Sequence, residues 1–394
     1  MALGSETINS KNKKTGQRNK LSGMLLLVLV CGFSGFVGGS IGNKSQNFSL
    51  NSTTETKKQI IASESQLINQ IAKDVGPSVV SVNVSSTATS NSIFGGVGEY
   101  KQQSAGTGVI ISDDGIIITN RHVIPENIDS VSVTLSDDTT LENVEVIGRT
   151  SESDTLDVAF LKIKDKKGKT LKAAKIADSS KVQVGDKVVA IGNALGQFQN
   201  TVTSGIISGF GRNLQASDES GQGVETLQNL FQTDTAINKG NSGGPLVNTD
   251  SEVIAINTAV AGDAENIGFA IPINDIQGLI KSVLKEGKLL RAYLGVRYVN
   301  LNDGLAEQYK LSTKRGAFLA PPTNGADTVL RDSPAEKAGL KENDIIIKID
   351  DTKIDELNNL TSVLGRKSVG DKITIKIIRD GKEITKEATL QEAP

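Results

Sequence analysis

"INKGNSGGPLVN", residues 237–248, holds one serine, Ser242, in a turn with glycines at 240, 243 and 244. A hydroxyl that attacks a carbonyl must project from a tight turn while neighbouring backbone N–H groups face the oxyanion that forms. Glycines give the backbone that freedom and let a substrate come close. A serine among glycines is also an ordinary surface turn, so the motif takes its meaning from the rest of the chain.

The rest of the chain contains one histidine in 394 residues, His122, within "TNRHVIPEN" (119–127). Gly240, Ser242 and Gly244 satisfy G-x-S-x-G, the nucleophile elbow of α/β-hydrolases, but that fold places its histidine after the serine. None lies downstream of Ser242, which excludes that reading. A histidine 120 residues upstream fits the order His, Asp, Ser instead. Between them, "SESDTLDVAFLKI" (151–163) offers Asp154 and Asp157. Asp157 opens a strand that can fix a carboxylate, whereas Asp154 reads as a solvated charge in a polar loop. The spacing puts His122 and Asp157 on one β-barrel and Ser242 on a second, with a cleft between.

The flanking pattern is mainly β. "SVVSVNVSS", "GTGVIISDDGIIITN", "KVVAIGNALG", "TVTSGIISGF" and "PLVNTDSEVIAINTAVA" are Val, Ile and Thr runs punctuated by Gly and Asp, as in antiparallel barrels. "SQLINQIAKDVGP" (65–77) reads as a short amphipathic helix, "TSNSIFGGVGEYKQQSAG" (89–106) as a mobile loop, and "INDIQGLIKSVLKEGK" (273–288) as a helix that closes the first domain. The remaining residues, about a hundred, mix strands with two helices as a separate α+β unit.

Composition removes several function classes. A net charge of −2 with no basic patch in the folded part argues against nucleic acid. One cysteine, Cys31, and one histidine give neither a disulfide nor a zinc site, so no metal or other cofactor is expected. Nothing resembles a phosphate-binding P-loop. Lys11, Lys13, Lys14, Arg18 and Lys20 precede an uncharged run from Leu21 to Gly42, long enough for one membrane-crossing helix with its basic flank in the cytoplasm. We read an uncleaved anchor rather than a signal peptide. The expected organisation is a cytoplasmic tail (1–20), the anchor (21–42), a polar tether (43–65), a protease domain (66–287) and a final domain (288–394).

The stretches "GTGVIIS", "GIIITNRHVI", "DVAFLKI", "AIGNALG", "TVTSGIIS", "QTDTAINKGNSGGPLVN", "IGFAIPI", "YLGV" and "SPAEKAGL" together resemble the HtrA (high-temperature-requirement A) family: a trypsin-like double β-barrel serine protease followed by one PDZ domain. The resemblance places the triad on His122, Asp157 and Ser242. It places the oxyanion hole on Gly240, Asn241 and Ser242, with the N–H groups of Gly240 and Ser242 as donors. Trypsin-like zymogens carry an aspartate before the serine that pairs with a newly cut N-terminus. Asn241 cannot form that ion pair, so activation follows another route. Lys239 stands where the family often has proline, implying a less rigid loop.

The resemblance also implies an apolar S1 pocket at Ile237 and Val260, with Ala236 where trypsin-like enzymes have an aspartate. Cleavage after small or medium aliphatic residues is therefore expected; Ile237 is equally compatible with the core. Tyr293, Leu294, Gly295 and Val296 match a PDZ carboxylate-binding loop, and Leu357, Leu360 and Leu364 either line its groove or belong to the core. Expected partners are unfolded or misfolded polypeptides, C-terminal peptides at the PDZ domain, the membrane, and further copies in a homotrimer. The leading expectation is a quality-control protease outside the cytoplasmic membrane. The alternatives are a regulatory protease that cuts one signalling substrate, and a PDZ-based binding protein or chaperone.

Overall fold

The structure, a computed structural model, describes residues 50–91, 97–152, 154–194, 198–217, 224–238, 240–260, 266–321 and 327–393. The expected tail, anchor and Cys31 lie outside these, as does Lys239. Among the described residues no helix is long and apolar enough to cross a membrane. The chain divides after Ser65.

Helix α1 spans Leu50–Val75, so the polar stretch read as a tether is helical from residue 50 onward. No glycine or proline interrupts those residues before Gly76 and Pro77. A low apolar content does not stop a helix that lacks a breaker, once its far end is anchored. Ile71 and Val75 provide that anchor in the core.

The first barrel is a seven-stranded antiparallel sheet in the order β5-β4-β1-β2-β3-β7-β6. Its strands are β1 (Val79–Asn91), β2 (Val97–Ile110), β3 (Ile116–Thr119), β4 (Ser130–Thr134), β5 (Thr140–Leu141), β6 (Val144–Arg149) and β7 (Ala159–Ile163). The second contains β8 (Lys175–Ile176), β9 (Lys187–Ala194), β10 (Phe198–Ser217), β11 (Val224–Thr233), β12 (Pro245–Val247), β13 (Glu252–Val260) and β14 (Gly268–Pro272). In it β12 pairs with both β9 and β13, which closes the ring, and β8 adds to β13 in parallel. Of the stretch read as a mobile loop, residues 89–91 and 97–106 instead belong to a long β1–β2 ladder whose last described pair is Asn91 with Val97; residues 92–96 lie outside the described residues. The stretch's polar, glycine-rich residues lack the apolar alternation by which a strand is read from sequence.

Alternation along individual strands divides the apolar residues between two kinds of core. On β3, Ile117 faces the interior of the first barrel while Ile116 and Ile118 face the space between barrels. On β7, Ala159, Leu161 and Ile163 fill the barrel and Phe160 points the other way. On β9, Val188 and Ala190 fill the second barrel while Val189 and Ile191 join the shared core. Helix α2 (Gln277–Glu286), capped by left-handed Gly287, covers the shared core with Leu279, Ile280 and Val283.

A third core belongs to the sheet β16 (Val299–Asn300), β17 (Ala317–Phe318), β18 (Ile345–Ile349), β20 (Lys372–Arg379) and β21 (Lys382–Thr389), with β19 (Thr352–Lys353) paired to β18. Strands β15 (Ala292–Tyr293) and β22 (Gln391–Glu392) pair separately. Helix α3 (Leu360–Gly365) of this unit packs on the turn Ile273–Ile276 that precedes α2.

The turn carries Asp275, which is buried and accepts a 2.6 Å hydrogen bond from Asn229 Nδ2. Burial pushes its carboxyl up to about 6, against the hydrogen bonds and the charge of Arg366. The folded value exceeds the ordinary one, so the folded state holds the proton more tightly. Its contribution to stability is therefore fully present below about pH 4, is lost as pH rises through about 6, and is absent above that. Asp275→Asn is expected to raise the melting temperature above about pH 6, by up to about 3 kcal/mol of stability, and to match the parent near pH 4. Parallel melting curves across that range in thermal unfolding would refute it.

Candidate active site

Strands β3 and β7 are neighbours in register, Thr119 opposite Ala159, so the residues following one and preceding the other meet at one sheet end. There His122 Nδ1 lies 2.7 Å from Asp157 Oδ2, and the His122 backbone N–H donates to Asp157 Oδ1 at 3.0 Å. From β13 in the other barrel, Thr258 Oγ1 donates to Asp157 Oδ2 at 2.6 Å, and Asn120 Nδ2 donates to the Asp157 carbonyl at 2.9 Å. The carboxylate is 1% exposed and the imidazole 42%. Burial pushes the Asp157 carboxyl up, but the charge of His122 and the hydrogen bonds from His122 and Thr258 outweigh it and bring the value to about 2. A charged, orienting acceptor thus sits behind a ring with one open side.

The loop before Asp157 is held from beneath. Arg121, fully buried, donates to the carbonyls of Ser151 and Leu156 and to the Thr150 hydroxyl. Asp154 is not the solvated charge expected of it: its side chain is 7% exposed, accepts the Leu156 N–H at 2.9 Å, and pairs with Arg291. A polar neighbourhood in sequence does not show that a cation from 137 residues away folds over it.

Ser242 stands at the mouth of β12. Thr107 N–H donates to the Ser242 carbonyl at 2.9 Å, and Gly243 N–H to Asn257 O at 2.8 Å. Gly243 has φ +83°, and a Cβ there would lie 2.1 Å from the Thr107 carbonyl, so only glycine fits. That close approach pins the serine loop of the second barrel against the β2 and β3 ends of the first, beside the Asn120 backbone that leads into His122. Asn241 is buried and closes on its own loop: Nδ2 donates to Ala236 O, and Oδ1 accepts from Asn238 N–H, each at 3.0 Å. The Asn241 N–H donates to Asn238 O at 3.1 Å and is therefore not a hole donor. Among the described residues, no acceptor takes the N–H of Gly240 or Ser242.

Ile237 is 3% exposed and sits in the second barrel's core with Val188 and Phe231. Its Cγ1 lies against Gly268, and Gly268 pairs with Val260, whose side chain lies outside the described residues. Ala236 offers no charge, and its carbonyl accepts from the Thr203 hydroxyl at 2.9 Å.

In the third unit, Tyr293 is in β15, Leu294 is a core residue whose carbonyl accepts Ala335 N–H, and Gly295, at φ +84°, accepts Leu330 N–H. Val296 bridges to Val329. The N–H groups of Leu294, Gly295 and Val296 donate to no acceptor among the described residues. Leu360 is wholly in the core and Leu364 packs against it, whereas Leu357 is 40% exposed before the helix. Tyr298 and Thr361 tie the segment between the loop and β16 to α3: Thr361 N–H donates to the Tyr298 hydroxyl at 3.0 Å. Among the described residues no group of three His, Cys, Asp or Glu is placed to hold a metal.

A double β-barrel in which a buried aspartate holds a histidine, with a glycine-flanked serine loop pinned beside it across the barrel boundary, followed by a small mixed unit, defines a trypsin-like serine protease with an appended PDZ domain. Residues 106–256 match the model of the trypsin-like peptidase domain and residues 292–390 that of the PDZ domain. The chain is 37% identical over 348 residues to the serine protease Do-like HtrA of Bacillus subtilis (strain 168), across 84% of this chain and 74% of that protein. It is 40% identical over 303 residues to the periplasmic serine endoprotease DegP of Escherichia coli (strain K12), spanning 76% of this chain and 59% of DegP. The solved HtrA-type protease AlgW with decapeptide superposes with a TM-score of 0.58 at 30% identity, covering 83% of this chain and 99% of that one. The chain belongs to the HtrA family of serine proteases.

Proposed function

We propose that the chain is an ATP-independent endoprotease that degrades misfolded polypeptides outside the cytoplasmic membrane, with His122, Asp157 and Ser242 as its triad. The observation that carries this is the buried, ionised Asp157 bound to His122 Nδ1, next to a serine loop pinned across the barrel boundary. Asp157 holds the imidazole with Nε2 left to receive the Ser242 proton as Oγ attacks a peptide carbonyl. The N–H groups of Gly240 and Ser242 stabilise the resulting oxyanion. The protonated ring then gives its proton to the leaving amine, and water releases the acyl group by the same route.

Relatives named periplasmic endoproteases support the location, and the run 21–42 with its basic flank supports a single-pass anchor in the cell membrane. The uncharged site at Ala236 and Ile237 supports cleavage after small or medium aliphatic residues. The unengaged N–H groups at 294–296 support capture of C-terminal peptides by a PDZ domain at 288–394, appended to a protease domain at 66–287. A homotrimer is the expected assembly by family likeness.

The test treats purified full-length chain with a fluorophosphonate and, separately, with unfolded casein, and maps both by mass spectrometry. Labelling at Ser242 with cuts after Val, Ile or Ala is expected. Cuts after Lys or Arg would overturn the specificity, and absence of both labelling and cleavage the proteolysis. A regulatory, PDZ-gated protease is the second reading, favoured by the Asp154–Arg291 bridge between the Asp157 loop and the segment entering β15. Silence on casein that a C-terminal peptide relieves would select it.

A further inference from the structure

Gly240 poses a physical problem. At φ +118° it has no side chain whose sterics could hold its two flanking peptide planes, yet one of them carries an oxyanion donor. A contact from outside the loop can anchor the residue through its other plane, at the Gly240 carbonyl. Thr107, on β2 of the other barrel, is wholly buried and makes that contact: its Oγ1 donates to the Gly240 carbonyl at 2.6 Å. The same oxygen accepts the Asn193 N–H at 2.8 Å, so the hydroxyl proton is committed to Gly240. Thr107 Cγ2 packs at the Gly244 position, which sets the rotamer. Its backbone N–H holds the Ser242 carbonyl, and its own carbonyl accepts from Thr119 Oγ1 at 2.7 Å.

We propose that Thr107 is a positioning residue for the oxyanion hole: its hydroxyl, held by the Asn193 N–H, anchors the Gly240 carbonyl and so fixes the Gly240–Asn241 plane that lies between the two donor N–H groups of Gly240 and Ser242, keeping the loop that carries both in place. The clamp reaches across the barrel boundary, so the hole is set by the packing of the first barrel on the second. It works alongside the Asn241 amide, which braces the loop from within. This rests on Gly240 and Ser242 being the oxyanion donors.

Thr107→Val keeps the shape and removes the hydroxyl. In the full-length protein it is expected to lower kcat about 10- to 100-fold, less than loss of a direct donor, with KM changed less than about threefold. Affinity for a peptide boronate, whose adduct on Ser242 places an oxygen in the hole, falls in parallel with kcat/KM. Binding of an uncleaved peptide, measured in the Ser242→Ala background, does not. Thr107→Ser, which restores the hydroxyl, recovers most of the loss.

An unchanged kcat in Thr107→Val overturns the proposal, as does an equal loss of boronate and uncleaved-peptide binding. Should the valine variant not fold, Thr107→Ala removes the same hydroxyl with less bulk. Unfolding of both, with Thr107→Ser folded, would assign the hydroxyl to the fold and overturn the proposal too. A parent enzyme that neither binds the boronate nor cuts peptide would instead refute the underlying reading of the site.

Discussion

Ser242→Ala is expected to reduce kcat on an unfolded protein by about 10⁶-fold while leaving the fold and the binding of uncleaved peptide intact. The hydroxyl oxygen is the only heavy atom removed, and the loop owes its shape to other groups: the Ser242 carbonyl held by Thr107 N–H, Gly243 N–H on Asn257 O, and the Asn241 amide closed on residues 236 and 238. Melting temperature should stay within about 2 °C of the parent, since no buried partner is lost. Mass-spectrometric counting of casein fragments, paired with a melting curve, checks both halves. Residual cleavage above a hundredth of the parent rate would show that Ser242 is not the nucleophile.

Asp157→Asn is the second large effect, about 10⁴-fold in kcat. The change conserves volume but replaces an ionised acceptor with an amide. In the parent, Asp157 Oδ2 takes hydrogen bonds from both His122 Nδ1 and the Thr258 hydroxyl, and Oδ1 takes the His122 N–H. An amide can satisfy the backbone donor with its oxygen only by turning its NH₂ toward the ring, which forces the proton onto Nε2, the nitrogen that must receive one.

The variant also separates acid stability from activity. The folded carboxyl lies at about 2, below its ordinary 3.8, so its contribution is present above about pH 4 and is lost as pH falls toward 2. That contribution is worth roughly 2 kcal/mol. The asparagine variant should lack this part of the acid transition, read by circular dichroism against pH. Retention of more than a tenth of kcat would remove Asp157 from the proposed role.

The double barrel was readable because it depends on local pattern, the period-two Val and Ile runs, and the proposed His122, Asp157 and Ser242 constellation rests on local pattern too: a glycine turn, a strand-opening aspartate, and a histidine with no rival. What escaped was whatever tertiary placement alone creates. Thr107 reads as one more strand threonine until β2 brings it against Gly240. Thr258 lies 101 residues from the carboxylate it serves. Asp154 and Asp275 look like ordinary surface acids, and only the packing of the last unit buries them against Arg291 and α3. The β1–β2 extension and the first turns of α1 escaped for the opposite reason: their residues carry little apolar signal, and the backbone continues there what better-packed residues begin.

Strands β3, β7 and β9 each send alternate side chains into a barrel and into the space between barrels, and this decides how the chain comes into being. When the ribosome has released only the residues up to Ile176, the first sheet is complete and α1 offers it Ile71 and Val75, but Ile118 and Phe160 lack the rest of their shared core until β9 and β14 arrive with Val189, Ile191 and Phe269. For that interval the newborn enzyme displays a greasy sheet of the kind associated with aggregation. While it is being made, this protease resembles its own proposed prey.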